Sequence, residues 1–195
     1  MFSARHALRE MFAVAKRPLF IWSLWDKLIR HDLVPKLRLD ETLALSEDQY
    51  FLWQVMTKAE RFSYVPQFAY HYRMREGSAT HQGLDRAKGT YLDAMQRIVR
   101  EASAMPDMDA ETLHVLKMKY HQIAIGVMKE IVLQGRKDFN DILQEEQEKL
   151  REDFFPCLRE RGISKLGTCY LALPNRLIWQ LQPLLSLLKK SSAAI

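Results

Sequence analysis

Two long runs of regularly spaced apolar residues, between positions 84 and 134, constrain the fold more than any other feature. Apolar side chains recur every three or four residues over 84–104 and again over 109–134, which is the spacing of a buried helix face. Only a short stretch separates the two runs, so we expect an antiparallel pair of helices joined by a turn. The following segment, 140–153, is strongly acidic and is expected to form a solvated helix.

A second patterned stretch, residues 46–80, combines a helix with strand-like segments. Ser46 and Gln49 have the spacing of a capping box, and Glu47 and Asp48 fall in the first helical turn, where negative charge is favoured. Capping alone would explain this acidic pair. The face expected to be buried consists of Phe51, Val55 and Ala59, with Leu52 and Met56 alongside. The strand-like segments are 61–65 and 68–72, separated at Pro66.

Four short motifs connect this part of the chain to a known family. They are Trp25-Asp26-Lys27-Leu28, Glu47-Asp48, Tyr70-His71-Tyr72-Arg73 and Ser78-Ala79-Thr80. In order and spacing they resemble the C-terminal half of the catalytic domain of family 2 glycosyltransferases. These are GT-A-fold enzymes, many of which build bacterial capsular, cell-wall or exopolysaccharides. The resemblance covers roughly residues 15–82.

The resemblance implies inverting transfer of a sugar from a nucleotide-sugar donor to a saccharide or lipid-linked acceptor. Asp48 would be the base that removes the proton of the acceptor hydroxyl, and Glu47 would support it or contact the acceptor. The positive end of the helix dipole would lower the pKa of Asp48 and keep it ionised. Departure of the nucleoside diphosphate would require positive charge from a metal or from basic side chains.

The resemblance also implies a set of substrate-binding residues: Trp25, Lys27, Arg73, Arg75 and Ser78. Trp25 would stack on a sugar ring, although a plain core position is an equal alternative. Arg73 and Arg75 would contact the diphosphate, because a guanidinium group matches phosphate oxygens; a surface strand and loop explain them equally well. His71 could bind a metal, or it could be a packed, hydrogen-bonded residue of a strand.

The N-terminal half of the family's domain has no counterpart here. No apolar strand runs into a nucleotide-binding loop, and no Asp-x-Asp motif stands at a strand end. Asp107-Met108-Asp109 has the right letters, but it follows Pro106 and precedes a helical run, so it is expected to cap that helix. The chain is therefore expected to be a downstream fragment that is inactive alone. A divalent cation, Mn or Mg, would belong to the full-length enzyme.

The expected fold class is α+β and predominantly helical. Residues 1–82 would form the acceptor side of a partial GT-A catalytic domain, with helices over 3–16 and 19–31. Residues 83–153 would form a helical hairpin and a charged helix, and residues 154–195 a basic amphipathic segment.

The C-terminal segment, 154–195, has six Lys or Arg residues and a single Glu. Together with its many leucines and Trp179, this is typical of a helix that lies in a membrane interface, where cations contact anionic lipid. A terminal helix packed on the 84–134 pair is the alternative. Pro174 and Pro183 are expected to divide the segment into short pieces.

Composition narrows the class of protein. The net charge is +5, the hydrophobic fraction 48% and the charged fraction 27%, which argues against global disorder. Cys157 and Cys169 show no metal-ligand spacing and are expected to be free thiols. No signal peptide or membrane span is visible, so a cytoplasmic location is expected, with a possible contact to the inner leaflet.

Two other functional classes remain open at this stage. A basic, helix-rich chain could bind nucleic acid, but no recognition-helix motif stands out and no nucleic-acid partner is expected. A non-catalytic helical scaffold could keep the transferase shape without the nucleotide half. No Ser-His-Asp order, phosphate-binding glycine loop or zinc spacing competes with these interpretations.

Overall fold

The computed structural model describes residues 2–14, 22–67, 70–71, 73 and 89–192, and this part of the chain is predominantly helical, as predicted. The described α-helices are α1 (Ala4–Phe12), α2 (Glu47–Met56), α3 (Gly89–Ala104), α4 (Ala110–Gln134), α5 (Asn140–Glu152), α6 (Phe154–Arg159), α7 (Lys165–Leu171) and α8 (Asn175–Ser192). Two short strands, β1 (Phe2–Ser3) and β2 (Arg61–Phe62), and two 3₁₀ turns, His31–Leu33 and Lys137–Phe139, accompany them.

The chain divides into two compact units, Met1–Tyr120 (unit 1) and His121–Ile195 (unit 2). The division falls inside α4, so the helical spacing of apolar residues in the sequence continues across it and does not mark the boundary. The predicted boundary near residue 82 lies outside the described residues, so the three-part division remains a prediction.

Helix α1 begins at a capped serine and buries one face. Ser3 Oγ accepts a hydrogen bond from the His6 backbone N–H at 3.2 Å, which satisfies one of the unpaired donors of the first turn. The buried residues are Ala4, Ala7, Leu8, Met11 and Phe12. Their spacing confirms the predicted amphipathic helix, which ends at Phe12 rather than at position 16.

Helix α2 is tied to α3 through Trp53. This residue is 1% exposed, and its Nε1–H donates a hydrogen bond to Glu101 Oε2 at 2.8 Å. The Tyr50 hydroxyl donates to Glu101 Oε1 at 2.5 Å. The buried residues of α2 are Gln49, Leu52, Trp53, Val55 and Met56. The predicted core position of Phe51 is therefore wrong: this side chain is only half-buried, because the buried face is centred on Trp53.

The predicted helix over 19–31 is wrong in its described part. Residues 22–30 contain no helix, and Leu28 is fully exposed. The Lys27 backbone N–H instead donates to Leu24 O at 3.2 Å, and Lys27 Nζ donates to Ser23 O at 2.8 Å. These local bonds pair backbone groups within a turn, and this turn conformation competes with a helix over the same residues.

The predicted strand over 61–65 is confirmed only at Arg61–Phe62, and the described residues of the predicted strand over 68–72, residues 70 and 71, form no strand. Strand β2 is only two residues long and pairs antiparallel with β1, in the register Phe2 with Phe62 and Ser3 with Arg61. Residues 70, 71 and 73 are not in a strand. The β2 backbone thus finds its partner at the N-terminus of the chain, which local sequence patterns do not report.

Helices α3 and α4 follow the predicted periodicity, and the start of α4 is capped as expected. Asp109 Oδ1 accepts the Thr112 backbone N–H at 2.8 Å, while Oδ2 accepts the Thr112 hydroxyl at 2.8 Å. The prediction that Asp107-Met108-Asp109 is a helix cap is confirmed. Gln96 Nε2 on α3 donates to the Tyr120 hydroxyl on α4 at 3.2 Å. Both residues lie two to three turns from the connection at 105–109, so this contact agrees with the predicted antiparallel pair.

In unit 2, helix α5 is amphipathic rather than simply solvated, because Leu143, Glu146, Gln147 and Leu150 are buried. Gln147 Nε2 donates to Leu171 O at 2.9 Å and to Leu173 O at 3.1 Å, which ties α5 to the end of α7. His121 Nε2 lies 2.9 Å from Asp153 Oδ2. The predicted break at Pro174 is confirmed, but Pro183 lies inside α8 and does not end it.

Candidate functional site

The acidic pair stands at the start of α2, as predicted, but the cap differs from the expected one. Ser46 has φ +68°, so its backbone is left-handed and its hydroxyl makes no cap hydrogen bond. A capping serine needs an extended backbone for its side chain to reach the helix N–H groups. The predicted capping box of Ser46 and Gln49 is therefore wrong. Within the described residues, Ser46 Oγ and both amide atoms of Gln49 are enclosed without a hydrogen-bond partner.

Asp48 is half-buried in the first turn of α2. Its Oδ1 accepts the backbone N–H of Gln49 at 2.7 Å, which fixes the plane of the carboxylate. Burial raises the pKa of Asp48 above 3.8, and the neighbouring Glu47 charge adds to the shift. The expectation that the helix dipole would lower this pKa is therefore wrong in direction, since the cost of removing the charge from water is larger.

Lys27 is near enough for its charge to offset part of the raised pKa of Asp48. Its side chain is 9% exposed and is held by Ser23 O and by the Asp26 carboxylate, with which it forms an ion pair. The turn at residues 22–30 thus places a fixed cation beside the α2 N-terminus. Two of the predicted site residues, Asp48 and Lys27, are brought together in this way.

Trp25, in the same turn, stacks on Tyr70. The ring centroids are 4.4 Å apart and the planes are inclined by 26°. Trp25 is 39% exposed and Tyr70 49% exposed, so the pair is accessible at the surface and the core alternative for Trp25 does not apply. Aromatic residues with an apolar body and a polar edge are well suited to recognition surfaces. Tyr70 belonged to a recognised motif but was not predicted to be Trp25's partner.

The structure shows no contact that joins the remaining described residues, His71 and Arg73, to Asp48 or Lys27. His71 and Arg73 are exposed and in no regular element. Arg75 and Ser78 lie outside the described residues, so their predicted substrate contacts remain predictions. Within the described part of the chain, no three His, Cys, Asp or Glu side chains are grouped so that they could hold a metal. The proposed metal role of His71 finds no partner ligands there.

A buried cation that sequence inspection missed lies on α4. Lys119 is 6% exposed, and its Nζ lies 4.5 Å from the centroid of the Trp22 ring. Burial lowers the pKa of Lys119 to about 8. A cation over an indole face is stabilised by the ring's negative surface. The sequence did contain a signal for this burial. Lys119 lies three residues after the buried Leu116, which places it on the same, apolar face of α4.

The C-terminal helices carry exposed leucines but no membrane span. Leu166 is 82% exposed, and Leu177 and Leu181 are also exposed, while Ile178 is buried. None of the described helices has both the length and the apolar content that crossing a bilayer requires. The side chains of residues 184–192 lie outside the described part, so the predicted interfacial membrane contact remains a prediction. Cys157 is buried and Cys169 exposed, and both are free as predicted.

Comparisons with known proteins supply no relative from which a role could be transferred. No family model matches the sequence, no curated protein is significantly similar to it, and no solved structure matches its fold. The function must therefore be argued from the residues around Asp48.

Proposed function

We propose that this chain forms the acceptor side of an inverting, GT-A-type glycosyltransferase that acts in cell-surface polysaccharide synthesis at the cytoplasmic face of the membrane. The observation that carries the proposal is the half-buried Asp48 carboxylate, whose pKa is raised by its surroundings. A general base must be held in a fixed position, and a pKa above that of a free carboxylate makes it a stronger base. The carboxylate of Asp109, which caps α4, is also held in place, but its hydrogen bonds to Thr112 lower its pKa, whereas the pKa of Asp48 is raised.

In the proposed reaction the acceptor hydroxyl transfers its proton to Asp48 as its oxygen attacks the anomeric carbon of the donor. The new C–O bond forms as the bond to the nucleoside diphosphate breaks, and the diphosphate leaves with the electron pair. The Gln49 N–H bond to Oδ1 holds the carboxylate in one orientation throughout. Fixed orientation of this kind contributes much of the rate of such transfers.

The residues that flank Asp48 in the sequence carry enclosed polar atoms without hydrogen-bond partners in the described structure. An enclosed polar group without a hydrogen bond costs about 1–3 kcal/mol, so such groups are rare outside functional sites. Ser46 Oγ and both amide atoms of Gln49 are three such atoms within the described residues; both side chains are buried, so they lie beneath the surface at Asp48 rather than on it. The exposed Trp25–Tyr70 stack would supply the face on which an acceptor sugar ring lies.

The described residues do not fit a metal site, so the proposal assigns no Mn or Mg ligand to them. They also contain no evident nucleotide-binding loop. The charge that stabilises the leaving diphosphate is assigned to Arg73, which is exposed, to Arg75, which lies outside the described residues, or to another chain.

The proposal is tested by acceptor binding to the purified chain. The ¹⁵N-labelled protein is titrated with chitotriose, cellotriose and maltotriose while the indole N–H resonances of its four tryptophans are followed. At least one oligosaccharide should shift the Trp25 resonance, and Trp25→Ala should abolish binding. Tyr64→Ala is the matched control, because Tyr64 is a 45% exposed aromatic outside the stack. If no oligosaccharide shifts Trp25, the acceptor assignment is wrong.

A further inference from the structure

A second site lies wholly within unit 2, in a groove of about 700 Å³ between the beginnings of α5 and α8. Its described lining consists of Lys137, Asn140, Gln144, Asn175, Arg176, Trp179 and Gln180. This volume is within the range of small-molecule sites. The side chains are of three kinds only: two cations, four carboxamides and one indole. No carboxylate is among the described lining residues.

The centre of the groove is a fixed hydrogen-bonded frame. Asn140 Oδ1 accepts two bonds, from Asn175 Nδ2 at 2.8 Å and from Trp179 Nε1 at 3.0 Å. These bonds hold the indole ring in one orientation. Asn175 Oδ1 is enclosed and has no partner within the described residues, so the hydrogen bonds that a ligand makes fall to the other carboxamides.

The charge of the groove is unbalanced. Lys137 Nζ lies 5.9 Å from the centre of the Trp179 ring. Neither Lys137 nor Arg176 forms an ion pair within the described part of the chain. Helices α5 and α8 both begin here, and the N-terminal ends of helices also favour negative charge. An anionic group is therefore complementary to this groove.

From this arrangement we propose that the groove binds a nucleoside monophosphate. The base stacks on Trp179, since stacking on an aromatic side chain accepts any base. The carboxamides of Gln144 and Gln180 offer the paired donor and acceptor that match a base edge. Arg176 and Lys137 bind the phosphate, for which a guanidinium fork is well shaped.

The chemistry of the lining selects this class of ligand. A free phosphate would use the two cations but would leave the indole and the carboxamides without a role. A neutral nucleoside would leave the two cations uncompensated. The site does not depend on the transferase proposal, since every lining residue belongs to unit 2 and none of them lies near Asp48 in the sequence.

The test follows the Trp179 indole N–H resonance of the full chain, assigned by its loss in Trp179→Phe, during titration with AMP. AMP should shift this resonance. Adenosine and inorganic phosphate should each bind at least about tenfold more weakly than AMP, because each lacks one half of the contacts. Arg176→Gln should weaken AMP binding by about tenfold or more. Gln144→Ala, which alters an exposed side chain, should weaken it without unfolding the protein.

Arg159→Gln is the matched control. It removes the same charge from an exposed position of unit 2 that does not line the groove. AMP binding should stay within about twofold of the unmodified chain in this variant. Three results would overturn the proposal: no shift of Trp179 up to ~10 mM AMP, inorganic phosphate binding as tightly as AMP, or equal losses in the Arg176 and Arg159 variants.

Discussion

The Glu101 carboxylate is expected to be a main stabilising contact between α2 and α3. Glu101→Ala removes the acceptor of both the Tyr50 hydroxyl and the Trp53 indole N–H. The Tyr50 hydroxyl can turn to water, but Trp53 is 1% exposed and its donor would remain unpaired. Leaving a buried donor unpaired costs about 1–3 kcal/mol, and the lost charged hydrogen bonds add to this cost. We expect the free energy of unfolding to fall by about 2–4 kcal/mol.

Urea denaturation followed by circular dichroism and tryptophan fluorescence measures this loss. Asp93→Ala is the control, because it removes an exposed carboxylate from the same helix and should change stability by less than about 0.5 kcal/mol. In a Trp53→Phe background, Glu101→Ala should cost less, since one of the two donors is already gone. A loss below about 0.5 kcal/mol for Glu101→Ala alone would refute the reasoning.

Three further predictions concern single side chains. The carboxyl of Asp48, titrated by ¹³C NMR, should have a pKa above 3.8, whereas Asp40, which accepts hydrogen bonds from Thr42, should titrate below it. Folding raises the pKa of Asp48, so the folded state binds the Asp48 proton more tightly than the unfolded state does. The contribution of Asp48 to stability should therefore fall as pH rises from 3.8 through its folded pKa. Asp109→Ala should lower the free energy of unfolding by about 1 kcal/mol in urea titrations, through loss of the α4 cap. A thiol reagent should modify Cys169 rapidly and Cys157 only on unfolding, since Cys157 is buried and burial raises its pKa to about 12.

The local parts of this fold were predictable because local interactions determine them. The spacing of apolar residues gave α1, α3 and α4, since a helix buries every third or fourth side chain wherever it packs. The cap at Asp109 was predictable for the same reason: the carboxylate and the N–H that it accepts are three residues apart.

The errors in α2 arose where a distant partner decides the outcome. Phe51 and Trp53 are both large and apolar, and spacing alone does not tell which faces the interior. Glu101, about fifty positions away, settles it by accepting the indole N–H. The prediction of a capping box was wrong because Ser46 adopts a left-handed backbone conformation. The sequence spacing of Ser46 and Gln49 does not reveal that conformation.

The candidate site was predictable in its residues but not in its electrostatics. The motifs that carry the family resemblance singled out Asp48 and Lys27 as candidates, and their roles remain a proposal. The pKa of Asp48, however, depends on how much water the fold removes from around the carboxylate, and only the structure reports that. The Trp25–Tyr70 stack likewise joins residues forty-five positions apart, with no local signal for their contact.

The central claim, that Asp48 is the base of a glycosyl transfer, is tested most directly in cells. The gene that encodes this chain is deleted from the source organism, and the surface polysaccharide is quantified after complementation with the same gene, either unmodified or carrying Asp48→Asn or Asp93→Asn. Asn is nearly isosteric and can still accept the Gln49 N–H, so the variant should fold while losing its basicity. Deletion should lower the polysaccharide, and the unmodified gene and the Asp93→Asn gene should restore it, but the Asp48→Asn gene should not. Full restoration by Asp48→Asn, or an unchanged polysaccharide on deletion, would contradict the claim.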